Sequence, residues 1–149
     1  MAKNYPVGAL WIIGNNRNEG GHYCLNVSDI QVIDASGTNQ IGKRSKLTMS
    51  TLYNNNSQFD KEKAVDGNLD TFAHTDFGDY KPIIQVLFDP PVQATKIRIA
   101  GRKQFGVRMN GVRVWVYKSA QDDVLTKRKE KLLGNAESYQ DIDLKSLFG

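Results

Sequence analysis

The sequence predicts an all-β fold, an antiparallel β-sandwich or jelly roll, on three observations. Apolar and polar residues alternate in several short segments, clusters of Gly and Asn separate these segments, and only residues 122–133 have any helical character. Many short strands divided by turn signals are typical of two packed antiparallel sheets. The binding residues of such a fold are expected on the loops at one end of the sandwich.

The predicted strands follow from a period of two. The alternation is clearest in residues 25–32, 97–99 and 112–116, and an apolar run at 9–13 predicts a further strand near the start of the chain. A period of two places every second side chain on one dry face of a sheet. Residues 122–133 carry a poor apolar pattern, so the one possible helix is weakly supported.

Length and composition favour a single domain over residues 1–149. The chain is 40% hydrophobic, and no apolar run approaches the roughly 20 residues of a membrane-spanning helix. The early apolar stretch is short and lacks a small-residue cleavage site, so no secretion signal is expected. We therefore expect a cytoplasmic protein, unless assembly carries it to a virion or cell surface. Cys24, the single cysteine, is expected to be a buried thiol.

The net charge of +4 invites a nucleic-acid interpretation, but the basic residues are poorly clustered. The run 127–131 is interrupted by Glu130 and lacks interleaved aromatic residues, which favours a solvated surface. Polar residues follow Leu52 and Tyr53, so this loop tip lacks the apolar residues needed to insert into a membrane. Neither nucleic acid nor membrane insertion is expected.

The segment 64–74, AVDGNLDTFAH, is the most informative part of the chain. Gly67 permits a sharp turn that points the Asp66 carboxylate and neighbouring carbonyls inward. Oxygen ligands of this kind suit Ca²⁺, and Thr71 and the Lys63 carbonyl would add two more. The second carboxylate is expected from Asp29, which interrupts an apolar strand. The alternative is an ordinary β-turn in which Asp66 and Asn68 cap their own backbone.

Enzymatic activity is not expected. His22, His74 and Cys24 do not form a nucleophile and base pair by any recognisable spacing, and no paired carboxylates suggest acid-base chemistry. His74, Arg102 and Arg108 instead offer hydrogen-bond donors suited to a polar, hydroxyl-rich ligand.

Several motifs, in order along most of the chain, resemble the galactose-binding-like jelly roll of F-type lectins (fucolectins) and discoidin (coagulation-factor type C) domains. They are residues 25–39 (LNVSDIQVIDASGTN), 47–53 (LTMSTLY), 64–68 (AVDGN), 71–75 (TFAHT), 83–86 (IIQV) and 101–112 (GRKQFGVRMNGV). Relative to the family pattern, strands that usually close the domain come first, as if the chain were read from a shifted start.

The resemblance implies a calcium ion and a sugar site. The implied calcium ligands are the Asp66 side chain, Thr71, the Asp29 carboxylate and the carbonyls of Asn68, Lys63 and Ser28. The implied sugar contacts are His74, Arg102 and Arg108, with Phe105 or Phe72 packing on a sugar face. Two alternatives stay open. His74 would instead form a hydrogen bond within its own loop, and Arg108 would instead be a structural anchor beneath its hairpin.

The expected function is calcium-dependent recognition of a glycan containing fucose or galactose, by a lectin-like module that works as an oligomer or within a larger assembly. The alternative is a virion decoration or host-attachment protein that uses the same sandwich for protein assembly.

Overall fold

The computed structural model describes residues 3–15, 24–42 and 45–149. Within these residues the chain forms a short helix, α1, and nine strands. The strands are β1 (Tyr5–Ile13), β2 (Asn26–Ile33), β3 (Ser45–Met49), β4 (Ala73–His74), β5 (Ile83–Ala94), β6 (Lys96–Gly101), β7 (Arg113–Tyr117), β8 (Lys129–Leu132) and β9 (Tyr139–Asp143), and α1 is Leu144–Phe148.

The strands form two antiparallel sheets. One sheet has the order β3-β5-β1-β7-β8 and the other β4-β2-β6-β9. The prediction of an all-β sandwich is therefore confirmed. Single 3₁₀ turns interrupt the long connections at Tyr53–Asn55, Ser57–Phe59, Lys61–Ala64 and Gly106–Met109.

The core of the five-stranded sheet consists of rows of apolar residues across β5, β1 and β7. Leu10 lies opposite Val86 and Val116, and these three side chains are fully buried. Directly opposed residues share one face of a sheet, so strict alternation along β1 sends Trp11 to the outer face. There the Trp11 ring stacks on that of Trp115, with centroids 5.9 Å apart.

The four-stranded sheet contributes the other half of the core. Ile30 lies opposite Ile99, and Ile97 is paired with both Val32 and Ile142. Each of these five residues is at most 2% exposed. The pairing of β2 with β6 shifts between Val27 and Asp29, which marks a bulge close to the predicted calcium ligands.

Two elements differ from the sequence expectation. Residues 122–133 do not form a helix, and their last part is β8, an edge strand whose four residues are all exposed. The helix lies instead at Leu144–Phe148, where the Asp143 side chain caps it by accepting from the Lys145 backbone N–H. A fully exposed strand has no buried face and therefore no alternation of apolar and polar residues. A five-residue helix is too short to show a helical period of apolar residues, so neither element could be predicted from the sequence pattern. Among the described residues no helix has the length and apolar character needed to span a bilayer.

We expect Gly8→Ala to destabilise the protein. A Cβ at position 8 would lie 2.4 Å from the Ser119 Cα, and a backbone atom cannot move aside as a flexible side chain can. Overpacking of this kind costs about 1–3 kcal/mol. Urea unfolding would show a lower midpoint for Gly8→Ala. The matched control is Gly134→Ala, because a Cβ at Gly134 meets nothing within 4 Å. Equal midpoints for the two variants would contradict the close packing at Gly8.

Candidate functional site

Strand pairing brings the predicted sugar-binding residues to one end of the sandwich. His74 lies opposite Asn26, and Gly101 opposite Val27 at the next position of β2. Arg102 follows β6 directly, and Arg108 lies in the 3₁₀ turn Gly106–Met109 just beyond it. The predicted trio of His74, Arg102 and Arg108 therefore converges.

His74 is enclosed by aromatic rings and is only 2% exposed. Its ring stacks on Tyr53 at a centroid distance of 4.5 Å and meets Phe77 and Phe59 edge-on at 5.2 and 6.0 Å. Its Nδ1 lies 2.5 Å from the backbone carbonyl oxygen of Thr75. A carbonyl oxygen only accepts, so Nδ1 carries the proton, and the loop hydrogen bond considered from the sequence is present.

The surroundings keep the His74 ring neutral. Burial, with a smaller effect from the positive charges of Arg108 and Arg102, lowers the pKa of His74 to about 4, against the opposing effect of the hydrogen bond to the Thr75 carbonyl. The ring is therefore uncharged near neutral pH. Its role in this structure is to pack against its aromatic neighbours and not to supply a positive charge.

Arg108 is buried to within 5% and has no carboxylate partner among the described residues. Its Nη1 donates to the Asn26 Oδ1 at 2.9 Å, and its guanidinium carbon lies 4.4 Å from the Phe105 ring centroid and 5.6 Å from that of Phe77. Within the described part of the chain its Nε has no hydrogen-bond partner. Arg108 thus joins the Gly106–Met109 turn to β2, which is an anchoring contact, but β6 and β7 lie in different sheets and do not form the hairpin assumed from the sequence.

Arg102 is held between two aromatic rings. Its guanidinium carbon lies 4.2 Å from the centroids of both Phe72 and Phe105. Partial burial and the nearby charge of Arg108 lower the pKa of Arg102. The Phe105 ring therefore contacts both guanidinium groups, and Arg102 is the more exposed of the two.

Two pockets flank Phe72, and we call them together the Phe72 cleft. One has a volume of about 260 Å³ and is lined by Leu69, Asp70, Phe72, Arg102, Lys103 and Gln104. The other has a volume of about 290 Å³ and is lined by Gln58, Phe59, Lys63, Asp70, Thr71 and Phe72. Lys103 Nζ lies 2.6 Å from Asp70 Oδ1, so this ion pair spans the first pocket. Sequence reasoning missed Asp70, Lys103 and Gln104, because loop residues carry no periodicity that marks them as neighbours.

Part of the predicted calcium site is brought together in one turn. The Asp66 carboxylate accepts from the Asn68 backbone N–H at 3.0 Å and from the Thr71 hydroxyl at 2.5 Å. The Thr71 hydroxyl oxygen also lies 3.1 Å from the Asn68 carbonyl oxygen, and Gly67 has the expected positive φ of 73°. The loop thus has the self-capping turn of the alternative, and this turn gathers three kinds of oxygen that suit Ca²⁺.

The remaining predicted calcium ligands lie on and beside β2. The turn Lys61–Ala64, which contains Lys63, packs on β2. Ser28 is buried, and its hydroxyl has no hydrogen-bond partner within the described residues. Asp29 is only 1% exposed, and its Oδ2 accepts from the Tyr139 hydroxyl at 2.5 Å and the Gln31 amide at 3.0 Å.

Asp29 is thus directed to the β9 side of its sheet, whereas the Asp66 loop precedes β4 at the other edge. Burial and the hydrogen bond to Asp29 raise the pKa of Tyr139 to about 12, so the phenol stays protonated as a donor. In residues 3–15, 24–42 and 45–149 no group of three or more His, Cys, Asp or Glu side chains could hold a metal ion. Of the predicted calcium ligands, the structure brings Asp66, Asn68 and Thr71 together in one turn.

Comparison of the chain with protein-family models, curated proteins and solved structures finds no match.

We expect His74 to make the protein less stable as the pH falls. The folded-state pKa of about 4 lies below the reference value of 6.5, so the unfolded chain binds the proton more tightly. This contribution to the free energy of unfolding is complete above about pH 6.5 and is lost progressively toward about pH 4. Urea unfolding across that range should show a steeper loss for the native protein than for His74→Gln.

Histidine NMR titration provides an independent measurement of the same group. The His22→Gln variant leaves His74 as the remaining histidine, although His22 itself lies outside the described residues. A midpoint for His74 near its reference value of about 6.5 would contradict the aromatic enclosure.

Proposed function

We propose that this chain is a carbohydrate-binding module of the F-type lectin or discoidin kind, and that a glycan binds in the Phe72 cleft. The observation that carries the proposal is the position of Arg102. Its guanidinium group is held between Phe72 and Phe105 and borders an open pocket. A cation fixed in this way presents its N–H donors with little loss of side-chain entropy on binding.

The lining of the cleft suits a sugar. Phe59 and Phe72, whose rings stack at 5.3 Å, offer apolar surface to sugar C–H groups. Asp70 and Gln104 offer acceptors for hydroxyl groups, and Arg102 offers donors to ring and hydroxyl oxygens. A few polar groups around apolar surface is the usual composition of a small-ligand site.

His74 and Arg108 support the cleft in this proposal. Their exposure of 2% and 5% leaves little surface for a ligand, whereas His74 packs against Phe72 and Arg108 against Phe105. The direct contact therefore falls to Arg102. The two buried residues act as positioning residues for the aromatic rings beside it.

We further propose that Ca²⁺ braces the loop that leads into β4. Asp66, Asn68 and Thr71 would hold the ion, and the resemblance adds the Lys63 and Ser28 carbonyls and the Asp29 carboxylate, although in this structure Asp29 is hydrogen-bonded to Tyr139 on the β9 side. The ion would supply positive charge that fixes the turn. Phe72 follows Thr71 directly, so an ordered turn would also order the wall of the cleft.

Substitution of Arg102 tests the glycan site. We expect Arg102→Gln to weaken binding on a glycan array about tenfold or more, because a charge-assisted hydrogen bond is lost. The matched control is Arg113→Gln, which removes the same charge from an exposed residue paired with Glu130 on the outer face of the other sheet. Circular dichroism would verify that both variants fold. An unchanged glycan profile for Arg102→Gln would move the site elsewhere.

Calcium titration tests the loop. We expect Ca²⁺ to raise the melting temperature, since a ligand at about 100 times its Kd stabilises the folded state by about 2.7 kcal/mol. Asp66→Asn should lose this gain. The matched control is Asp34→Asn, because Asp34 caps its own turn in the same way, accepting from the backbone N–H groups of Ser36 and Thr38. Equal calcium shifts in both variants, or no shift in the native protein, would refute the calcium site.

A further inference from the structure

A further pocket, separate from the two that form the Phe72 cleft, lies at the opposite end of β7. It has a volume of about 490 Å³, larger than either pocket of the cleft, and it is formed by residues 118–129 together with Phe148. The Gly106–Met109 turn precedes β7, whereas Lys118 follows it. The five residues of β7 span about 17 Å at roughly 3.3 Å per residue, so the two sites are separate.

Basic side chains dominate this pocket. Lys118, Lys127, Arg128 and Lys129 line it, and Asp122 is the acidic residue among its lining residues. The ion pairs found between described residues include none of these four cations. The sequence predicts a solvated surface for the basic run 127–131. In the structure, residues of this run line a concave site.

The nearby carboxylates are committed to the backbone. Asp122 Oδ2 accepts from the Ser119 N–H at 3.1 Å, and Asp123 Oδ1 accepts from the N–H groups of Leu125 and Thr126 at 3.0 Å. These backbone hydrogen bonds lower the pKa of Asp123, so its charge serves to hold the turn. The Glu130 carboxylate accepts from the Trp115 indole N–H and pairs with Arg113, and the positive charge of Arg128 over the same indole ring also helps to lower the pKa of Glu130.

Aromatic rings restrain two of the four cations. The guanidinium carbon of Arg128 lies 4.4 Å from the Trp115 ring centroid, and Lys118 Nζ lies 5.1 Å from that of Phe148. An aromatic ring attracts a cation without neutralising it. Lys118 is thus partly ordered beside the pocket with its charge available, whereas Arg128 shares the Trp115 ring with Glu130.

From this arrangement we propose that the pocket binds a small ligand that carries two or more phosphate or sulfate groups. Four basic residues line one pocket, so their like charges repel one another, and a multivalent anion would relieve that repulsion. Arginine and lysine both favour phosphate-type oxygens. The volume of about 490 Å³ lies within the usual range for small-ligand pockets, roughly 300–1,000 Å³.

The experiment measures binding by calorimetry with two probes, inorganic pyrophosphate and a multiply sulfated disaccharide. The site variant is Lys127→Gln/Lys129→Gln. The matched control is Lys46→Gln/Lys81→Gln, which removes two exposed lysines outside this pocket and changes the net charge equally. We expect the site variant to weaken binding of at least one probe about tenfold or more and the control to leave it unchanged.

The two probes separate the sources of the anionic groups. Saturable binding of pyrophosphate alone indicates a phosphorylated ligand, and binding of the disaccharide alone indicates a sulfated one; both outcomes support the site. Equal loss in the two double variants would show a net-charge effect and overturn the proposal, as would the absence of saturable binding of either probe.

A third variant addresses geometry. Lys118→Met keeps an apolar side chain against Phe148 but removes the charge, so we expect weaker binding with an unchanged urea midpoint. Unchanged binding by Lys118→Met would remove this lysine from the proposed site. None of these substitutions touches Arg102 or the Asp66 loop, so a failure here is distinguishable from a failure of the glycan proposal.

Discussion

The pairing of β2 with β4 on one side and with β6 on the other decides where the candidate site lies. It places His74 opposite Asn26 and Gly101 opposite Val27, so that Arg102 emerges where β4 meets the sheet. The register is set by the buried apolar face, because a slip of one residue would turn that face to solvent. Packing of the core therefore fixes the positions of the residues in the candidate site.

Four cations at the two proposed sites lie against aromatic rings. Arg102 and Arg108 share Phe105, Arg128 lies over Trp115, and Lys118 lies over Phe148. Ring contacts are worth about 0.5–2 kcal/mol and leave the positive charge uncompensated. A carboxylate partner would orient these side chains equally well but would compete with a ligand. The two ends of β7 thus carry ordered donors that suit hydroxyl groups at one end and anionic groups at the other.

Most of the fold was predictable because its signals are local. The alternation in β6 and β7 reports the buried face of each strand, and the confirmed sandwich follows from several such strands, although β2 is buried at nearly every residue. The strand β8 and the helix α1 were not predictable, since one has no buried residue and the other has only five residues. The convergence of His74, Arg102 and Arg108 was expected from motifs, but the enclosure of His74 by Tyr53, Phe59 and Phe77 was not.

The sequence by itself determined the strands that alternate between apolar and polar residues, and it determined the turn at Asp66 because the hydrogen bonds of that turn join residues no more than five positions apart. Only the tertiary structure decided the partners of Asp29 and Arg108. Asp29 bonds to Tyr139, 110 positions away, and Arg108 to Asn26, 82 positions away. Such pairs are selected by strand register and by the burial of polar groups that must find partners, and neither constraint is visible within a local stretch of sequence.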